Sequence, residues 1–208
     1  MAANDHSSLI HLVTLDTELD DESFRDWVTN DHVSGVLSRP GWLAARLLEC
    51  VNGEPRHLII YDLNEEVATA GRISDGLLRA RRVERRGIRD YHARTFRLIH
   101  EAGSHRYQPA LVNVITVDVE DAHAAEFSRW YNEVHFPEIL ACPGWRAGRR
   151  YECIDGEPRF LAIYDLEDEI RPFNTPEYEA AVGWDDQLPH IRGYHGFRIY
   201  RLVHDSHA

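Results

Sequence analysis

The sequence contains one unit twice. Shifted by 103 positions, Phe24 to His92 aligns with Phe127 to His195 without a gap. Identities include Trp27/Trp130, His32/His135, Pro40/Pro143, Trp42/Trp145, Arg46/Arg149 and Cys50/Cys153. They continue through Gly53-Glu54-Pro55-Arg56 against Gly156-Glu157-Pro158-Arg159, Tyr61-Asp62 against Tyr164-Asp165, and Tyr91-His92 against Tyr194-His195. The first strands match at a shift of 102, so one residue was gained or lost before the first helix. Such self-similarity is the signature of a repeated supersecondary unit that buries its apolar face against its own copy. The 208 residues divide into repeats 1–103 and 104–208.

Each repeat reads the same way. Leu9 to Leu15 and Leu111 to Val119 are β-branched, apolar runs of strand length. Helices are predicted over Asp21 to about Leu37 and Asp121 to about Leu140, where Phe127, Trp130, Tyr131 and Val134 recur at helical spacing. Pro40-Gly41 and Pro143-Gly144 break the chain after them. Two strands follow, Trp42 to Val51 and Arg56 to Leu63, with copies Trp145 to Ile154 and Arg159 to Leu166. Asn52-Gly53 and Asp155-Gly156 between these runs predict hairpins. A poorer helix lies within 65–86 or 175–188, and last strands start at Tyr91 and Tyr194. Glu101 to Pro109 reads as a linker. The order β-α-β-β-α-β is the ferredoxin-like split βαβ unit. Its sheet is covered by helices on one face, and a tandem copy can cover the other. The expectation is therefore an α+β chain of two ferredoxin-like repeats packed sheet to sheet as an intramolecular α/β barrel.

Composition removes several functions. The net charge of −12 argues against nucleic acid or an anionic membrane as the partner. No apolar run reaches membrane-span length, and the start lacks signal-peptide features, which predicts a cytoplasmic protein. The chain has no lysine, which excludes lysine Schiff-base chemistry and the Walker-type nucleotide loop. Cys50, Cys142 and Cys153 show no C-x-x-C spacing, and the 13 histidines form no H-x-x-x-H or H-x-H pair, so no metal site is predicted. No G-x-S-x-G elbow is present.

The pattern Trp130-Tyr131-Asn132-x-x-His135-x-Pro137, then Pro143-Gly144-Trp145, then Arg149-Arg150-Tyr151, resembles the EthD-like branch of the dimeric α/β-barrel superfamily. Such proteins usually assemble as dimers of one-repeat chains, so a fused chain resembles a built-in dimer. The resemblance implies a small-molecule enzyme. Relatives of this fold include cofactor-independent isomerases, polyketide cyclases, hydroxynitrile lyases and dehydratases, as well as haem-degrading monooxygenases. The first copy departs from the motif at Val28, Asp31 and Ser34, which points to the second copy as the site.

His135 lies four residues after Tyr131, so both project from adjacent turns of one helical face. Histidine is the usual acid–base near neutral pH, and a neighbouring phenol can orient it or donate a proton. The alternative is a helix-end histidine capping carbonyls before Pro137. His32 is the equivalent candidate in the first copy. His11 and Asn113 are polar residues within apolar strands, and each must pair with a ligand or a neighbour. Arg46 and Arg149 either clamp a substrate carboxylate or enolate or pair with an acid across the sheet. Trp130 is a candidate pocket wall, although large aromatics at such positions usually fill the core. Tyr194 and His195, opening the last strand, are candidate second acids or bases. An arginine cluster at Arg79, Arg81, Arg82, Arg85, Arg86 and Arg89 could attract an anion or form a solvated face.

The expected function is a cofactor-independent lyase, dehydratase or isomerase acting on a small aromatic or apolar oxygenated compound. His135 moves the proton, Tyr131 assists, and Asn113 and Arg149 stabilise an oxyanion. The alternatives are a haem-binding monooxygenase of the same fold, for which His190 is the nearest ligand candidate, and a non-catalytic small-ligand-binding protein. A homodimer is the further assembly considered.

Overall fold

Strands with apolar residues on both faces dictate the architecture. Strand β1 (Leu9–Asp16) turns Leu9, Val13 and Leu15 to one side and Ile10 and Leu12 to the other, and both sides are buried. The remaining strands are β2 (Trp42–Cys50), β3 (His57–Leu63), β4 (Arg89–Gly103), β5 (Leu111–Val119), β6 (Trp145–Cys153), β7 (Phe160–Leu166) and β8 (Ile191–His207). In the computed structural model, which describes residues 7–69, 73, 87–103, 109, 111–167, 173–182 and 190–207, they close into a barrel in the order β1-β3-β2-β8-β5-β7-β6-β4.

Closure depends on two long strands. β4 pairs with β1 through Arg97 and then, from Phe96 to Gly103, with β6 of the other repeat. β8 pairs with β5 up to Tyr200 and then, from Tyr200 to His207, with β2. Glu101 to Gly103 are therefore strand rather than linker, because the opposite repeat offers that stretch an open edge. Inside the barrel, Ile10, Leu12, Ile60 and Phe96 of one repeat meet Val114, Tyr151, Ile163 and Tyr200 of the other. This shared layer is the ferredoxin-like sheet-to-sheet packing of a dimeric α/β barrel, completed within one chain.

The hairpins differ from the two-residue turns expected of Asn-Gly and Asp-Gly. Six-residue loops, 51–56 and 154–159, join the strands. Asn52 instead accepts the Ile199 N–H at 2.9 Å and donates to the Phe197 carbonyl at 3.2 Å. Asp155 accepts the Thr95 N–H at 2.9 Å. Each loop thus ties down the last strand of the opposite repeat.

Helices cover the outside. Asp20 caps α1 (Asp21–Trp27) by accepting the Ser23 N–H at 2.9 Å. A π-helical stretch, Val28–Val33, follows and runs into α2 (Ser34–Leu37). α3 (Glu65–Thr69) follows β3. In the second repeat, a 3₁₀ turn (Asp121–His123) leads to α4 (Ala124–Trp130), the π-helical Tyr131–His135, and α5 (Phe136–Ala141). Pro137 does not stop the helix; it sits in the first turn of α5, where a missing N–H costs nothing. Gly41 and Gly144 adopt φ of 85° and 87° and turn the chain into the next strand. A Cβ at Gly41 would lie 2.3 Å from Val67. The second helix of the second repeat is α6 (Pro176–Ala181). Of the arginine cluster, Arg79, Arg81, Arg82, Arg85 and Arg86 lie outside the described residues. No described helix is long and apolar enough to cross a membrane.

Because the strand edges of each repeat are satisfied by the other, fragments 1–103 and 104–208 should not yield folded monomers. Expressed separately and mixed, they should co-sediment as a one-to-one complex. A stable folded monomer of either fragment would contradict this pairing.

Candidate active site

The π-helical turn builds the site. Its wide i→i+5 geometry sets residues five apart face to face, and such turns recur at functional positions. Trp130 and His135 stack with ring centroids 5.2 Å apart and planes 14° from parallel. Tyr131 meets the same imidazole edge-on at 4.8 Å. Tyr131 and Tyr164 share a hydroxyl–hydroxyl hydrogen bond of 3.0 Å. His135 and Tyr131 are almost fully buried, at 4% and 1% exposure.

Burial sets the protonation states. It lowers the His135 pKa to about 4, helped by the nearby Arg150 cation and opposed by a hydrogen bond to the Ala181 backbone. His135 is thus a neutral imidazole at physiological pH, with one nitrogen able to donate and the other to accept. Burial pushes Tyr131 to about 12 and raises Tyr164 further, so both are un-ionised phenols.

Asn113 is fully buried on β5 beside Tyr164 of β7. It donates to the Arg198 carbonyl at 3.2 Å, and its Oδ1 finds no hydrogen-bond partner among the described residues. Arg149 does not join this group. A register shift between Trp145 and Ala147 keeps Trp145 toward the helices and turns Arg149 into the barrel. There it pairs with Asp165, both nearly buried, while Arg46 pairs with Asp62 at 2.8 Å. Arg46 and Arg149 thus lie on the opposite face of their strands from Trp42 and Trp145, and serve barrel ion pairs.

The arginine that does reach the site is Arg150, which the sequence reading passed over. It is 1% exposed, lies 4.1 Å from the Tyr131 ring centroid, and donates to Asn132 and to the Ser128 carbonyl. Among the described residues no carboxylate hydrogen-bonds to it, and one terminal nitrogen has no hydrogen-bond partner. The available signal was a difference between the copies: Leu47 occupies the equivalent position.

The first repeat solves the same packing differently. Val28 replaces Tyr131, and His32 itself bonds the Tyr61 hydroxyl at 3.0 Å. Trp27 still lies against the imidazole, at 5.5 Å. His11 is buried and bonds Thr95 at 3.1 Å, its ring edge-on to Trp42. The candidates His32 and His11 thus each bond a neighbouring side chain.

Two cavities matter. The one lined by His135, Tyr164, Tyr178 and Tyr194 holds only about 20 Å³, space for roughly one water. A haem macrocycle does not fit it, and His190 lies apart, stacked on His123. The second cavity, about 750 Å³, opens at one end of the barrel between Leu12, Phe96, Val114 and Tyr200, with Arg94 and Arg198 at its walls. Tyr194, 45% exposed, borders both. His195 pairs with Thr116 through its backbone, and its side chain falls outside the described residues.

No protein-family model and no curated protein matches the sequence. Solved structures do. An anthrone oxidase-like protein superposes with a TM-score of 0.70 at 15% identity, over 100% of this chain and 95% of that one. A candidate monooxygenase from Fusobacterium nucleatum gives 0.64 at 9% identity, over 96% and 94%. A candidate chlorite dismutase gives 0.58 at 13%, over 94% and 95%. At these identities the likeness establishes the fold alone, a ferredoxin-like α/β barrel.

The depressed His135 pKa makes a pH prediction. Its folded pKa of about 4 lies below the unfolded value of about 6.5, so the unfolded chain binds the extra proton first. The stability contribution is complete above pH 6.5 and is lost as pH falls toward 4, by about 3 kcal/mol. NMR should show the His135 ring titrating near pH 4, and His135→Gln should lessen the acid destabilisation. Titration near 6.5 would contradict this environment.

Proposed function

We propose that the second repeat is an acid–base enzyme site for a small phenolic or enolisable aromatic compound, with His135 as general base. The observation that carries this reading is the convergence of two un-ionised phenols on one buried, uncharged imidazole. In this scheme the substrate C–H or O–H gives its proton to the accepting nitrogen of His135. The negative charge spreads onto a substrate oxygen, which Tyr131 or Tyr164 meets with a hydroxyl. Arg150 replaces Arg149 in the electrostatic role, because its charge has no carboxylate hydrogen-bond partner among the described residues and lies against Tyr131. A developing anion also raises the imidazole's proton affinity, offsetting the low pKa of the resting site. Entry requires Tyr178, Val182 and Tyr194 to yield, since the resting cavity is water-sized.

The EthD-like motif favours elimination or isomerisation of the resulting carbanion. The solved relatives described as anthrone oxidase-like or as candidate monooxygenases favour its capture by dioxygen. Proton abstraction is common to both routes. A second reading, ligand binding without turnover, draws on the 750 Å³ barrel cavity, whose size suits a small molecule.

Turnover should be sought with a panel of anthrone-type and hydroxyaromatic compounds, following oxygen uptake and product formation together. His135→Gln should lower kcat by at least about a hundredfold with the circular dichroism spectrum unchanged. Retained turnover in that variant would remove His135 as the base. Tight binding without turnover, indifferent to the substitution, would favour the barrel-cavity reading.

A further inference from the structure

At the outer edge of the second repeat, three metal-ligand side chains converge from two distant stretches. Glu120 follows β5, His123 ends the 3₁₀ turn and His190 precedes β8. The His123 and His190 rings stack at 3.3 Å between centroids with planes 6° from parallel. His190 Nδ1 lies 3.6 Å from the Glu120 carboxylate, and all three candidate ligand atoms fall within 4.8 Å of one another. Glu126 stands 4.0 Å from His123 Nδ1.

Comparison of the two copies shows that this arrangement is confined to the second. Both copies make the same backbone bond, Glu18 N–H to Gly87 carbonyl and Glu120 N–H to His190 carbonyl, each at 3.2 Å. The glutamate is therefore common, but glycine stands in the first copy where His190 stands in the second. Five residues separate Glu18 from Phe24, and six separate Glu120 from Phe127. The extra residue falls in the turn that presents His123. That turn also gives up a helix cap. Asp20 caps α1 with its side chain, whereas His123 makes no side-chain cap bond to α4. Two cofacial imidazoles beside a carboxylate repel each other when both are protonated, so the cluster favours a single shared cation.

We infer that Glu120, His123 and His190 bind a first-row divalent metal ion of the zinc class. Two imidazoles and one carboxylate suit such ions rather than magnesium or calcium, which prefer all-oxygen shells. Tetrahedral zinc with bonds near 2.0–2.1 Å places its ligand atoms about 3.3 Å apart, so modest side-chain rotation closes the site. The side chains are 34–44% exposed, which leaves room for that rotation and for a solvent ligand. Arg192, 3.9 Å from Glu120, is the competing cation and must give way.

The test is titration of the chelator-stripped full chain with zinc chloride against a zinc-sensitive fluorescent chelator, and with cobalt chloride for its visible absorption. One equivalent of zinc should bind, with a cobalt band of four- or five-coordinate type. His123→Ala, His190→Ala and Glu120→Gln should each weaken binding by roughly tenfold to a hundredfold. Glu18→Gln, the first-copy counterpart, should leave it unchanged. Far-UV circular dichroism of the metal-free variants checks the fold. Absence of a stoichiometric site in the wild-type chain would overturn the inference. So would wild-type affinity in the histidine variants, which would place the ion on other surface histidines.

Discussion

The structure depends on the sharing of β4 and β8 between the two repeats. Each long strand completes its own sheet with its first half and closes the barrel on the other repeat with its second. Backbone groups that would form open edges are thereby paired, and the apolar inner faces meet in one layer. The hairpin loops reinforce the exchange, Asn52 binding β8 and Asp155 binding β4. Arg94 and Arg198 add reciprocal bonds to the Glu157 and Glu54 carbonyls at 2.8 and 2.6 Å. The ion pairs Arg46–Asp62 and Arg149–Asp165 lie within the same interior, where leaving one member unpaired would cost about 3–5 kcal/mol.

With closure supplied within one chain, the copies could diverge on their outer faces without loss of the barrel. Position by position the divergence is chemical. Where the second repeat has Tyr131 and Tyr164 bonded to each other beside His135, the first has Val28 and ties Tyr61 to His32. Where the second buries Arg150, the first buries Leu47. His57 replaces Phe160 and packs 4.1 Å from Phe24, with both ring nitrogens lacking hydrogen-bond partners among the described residues. Burial lowers the His57 pKa as it does that of His135, so the first repeat also disfavours acid.

Much of the fold was legible because period and duplication are local properties of the sequence. The first three strands of each repeat, the helices after β1 and β5, and the barrel all follow from short apolar runs repeated at a fixed shift. The π-helical turns were not legible, since Trp130, Tyr131 and His135 suit an ordinary helix equally well. Of the two readings of Arg149, pairing with an acid across the sheet is the one realised, because a bulge near Trp145 reverses the inside–outside parity of β6, and no residue type announces that bulge. Asn52 and Asp155 carried hairpin chemistry that the tertiary structure uses for contacts between repeats. The histidine cluster was invisible to spacing rules because its members lie 67 residues apart. His135 and Tyr131 were singled out by their four-residue spacing on a helix, and Asn113 by its polarity within an apolar strand. Arg150 would have been found by asking where the copies differ.

The claim at the centre of this account is that His135 removes a proton, whatever follows. It is tested most directly by hydrogen–deuterium exchange, with an enolisable aromatic compound incubated in deuterated buffer without oxygen and followed by NMR. The account predicts that the wild-type chain washes deuterium into the acidic C–H position and that His135→Gln does not. Equal exchange by both proteins, or none by the wild type with a compound shown to bind, would contradict it.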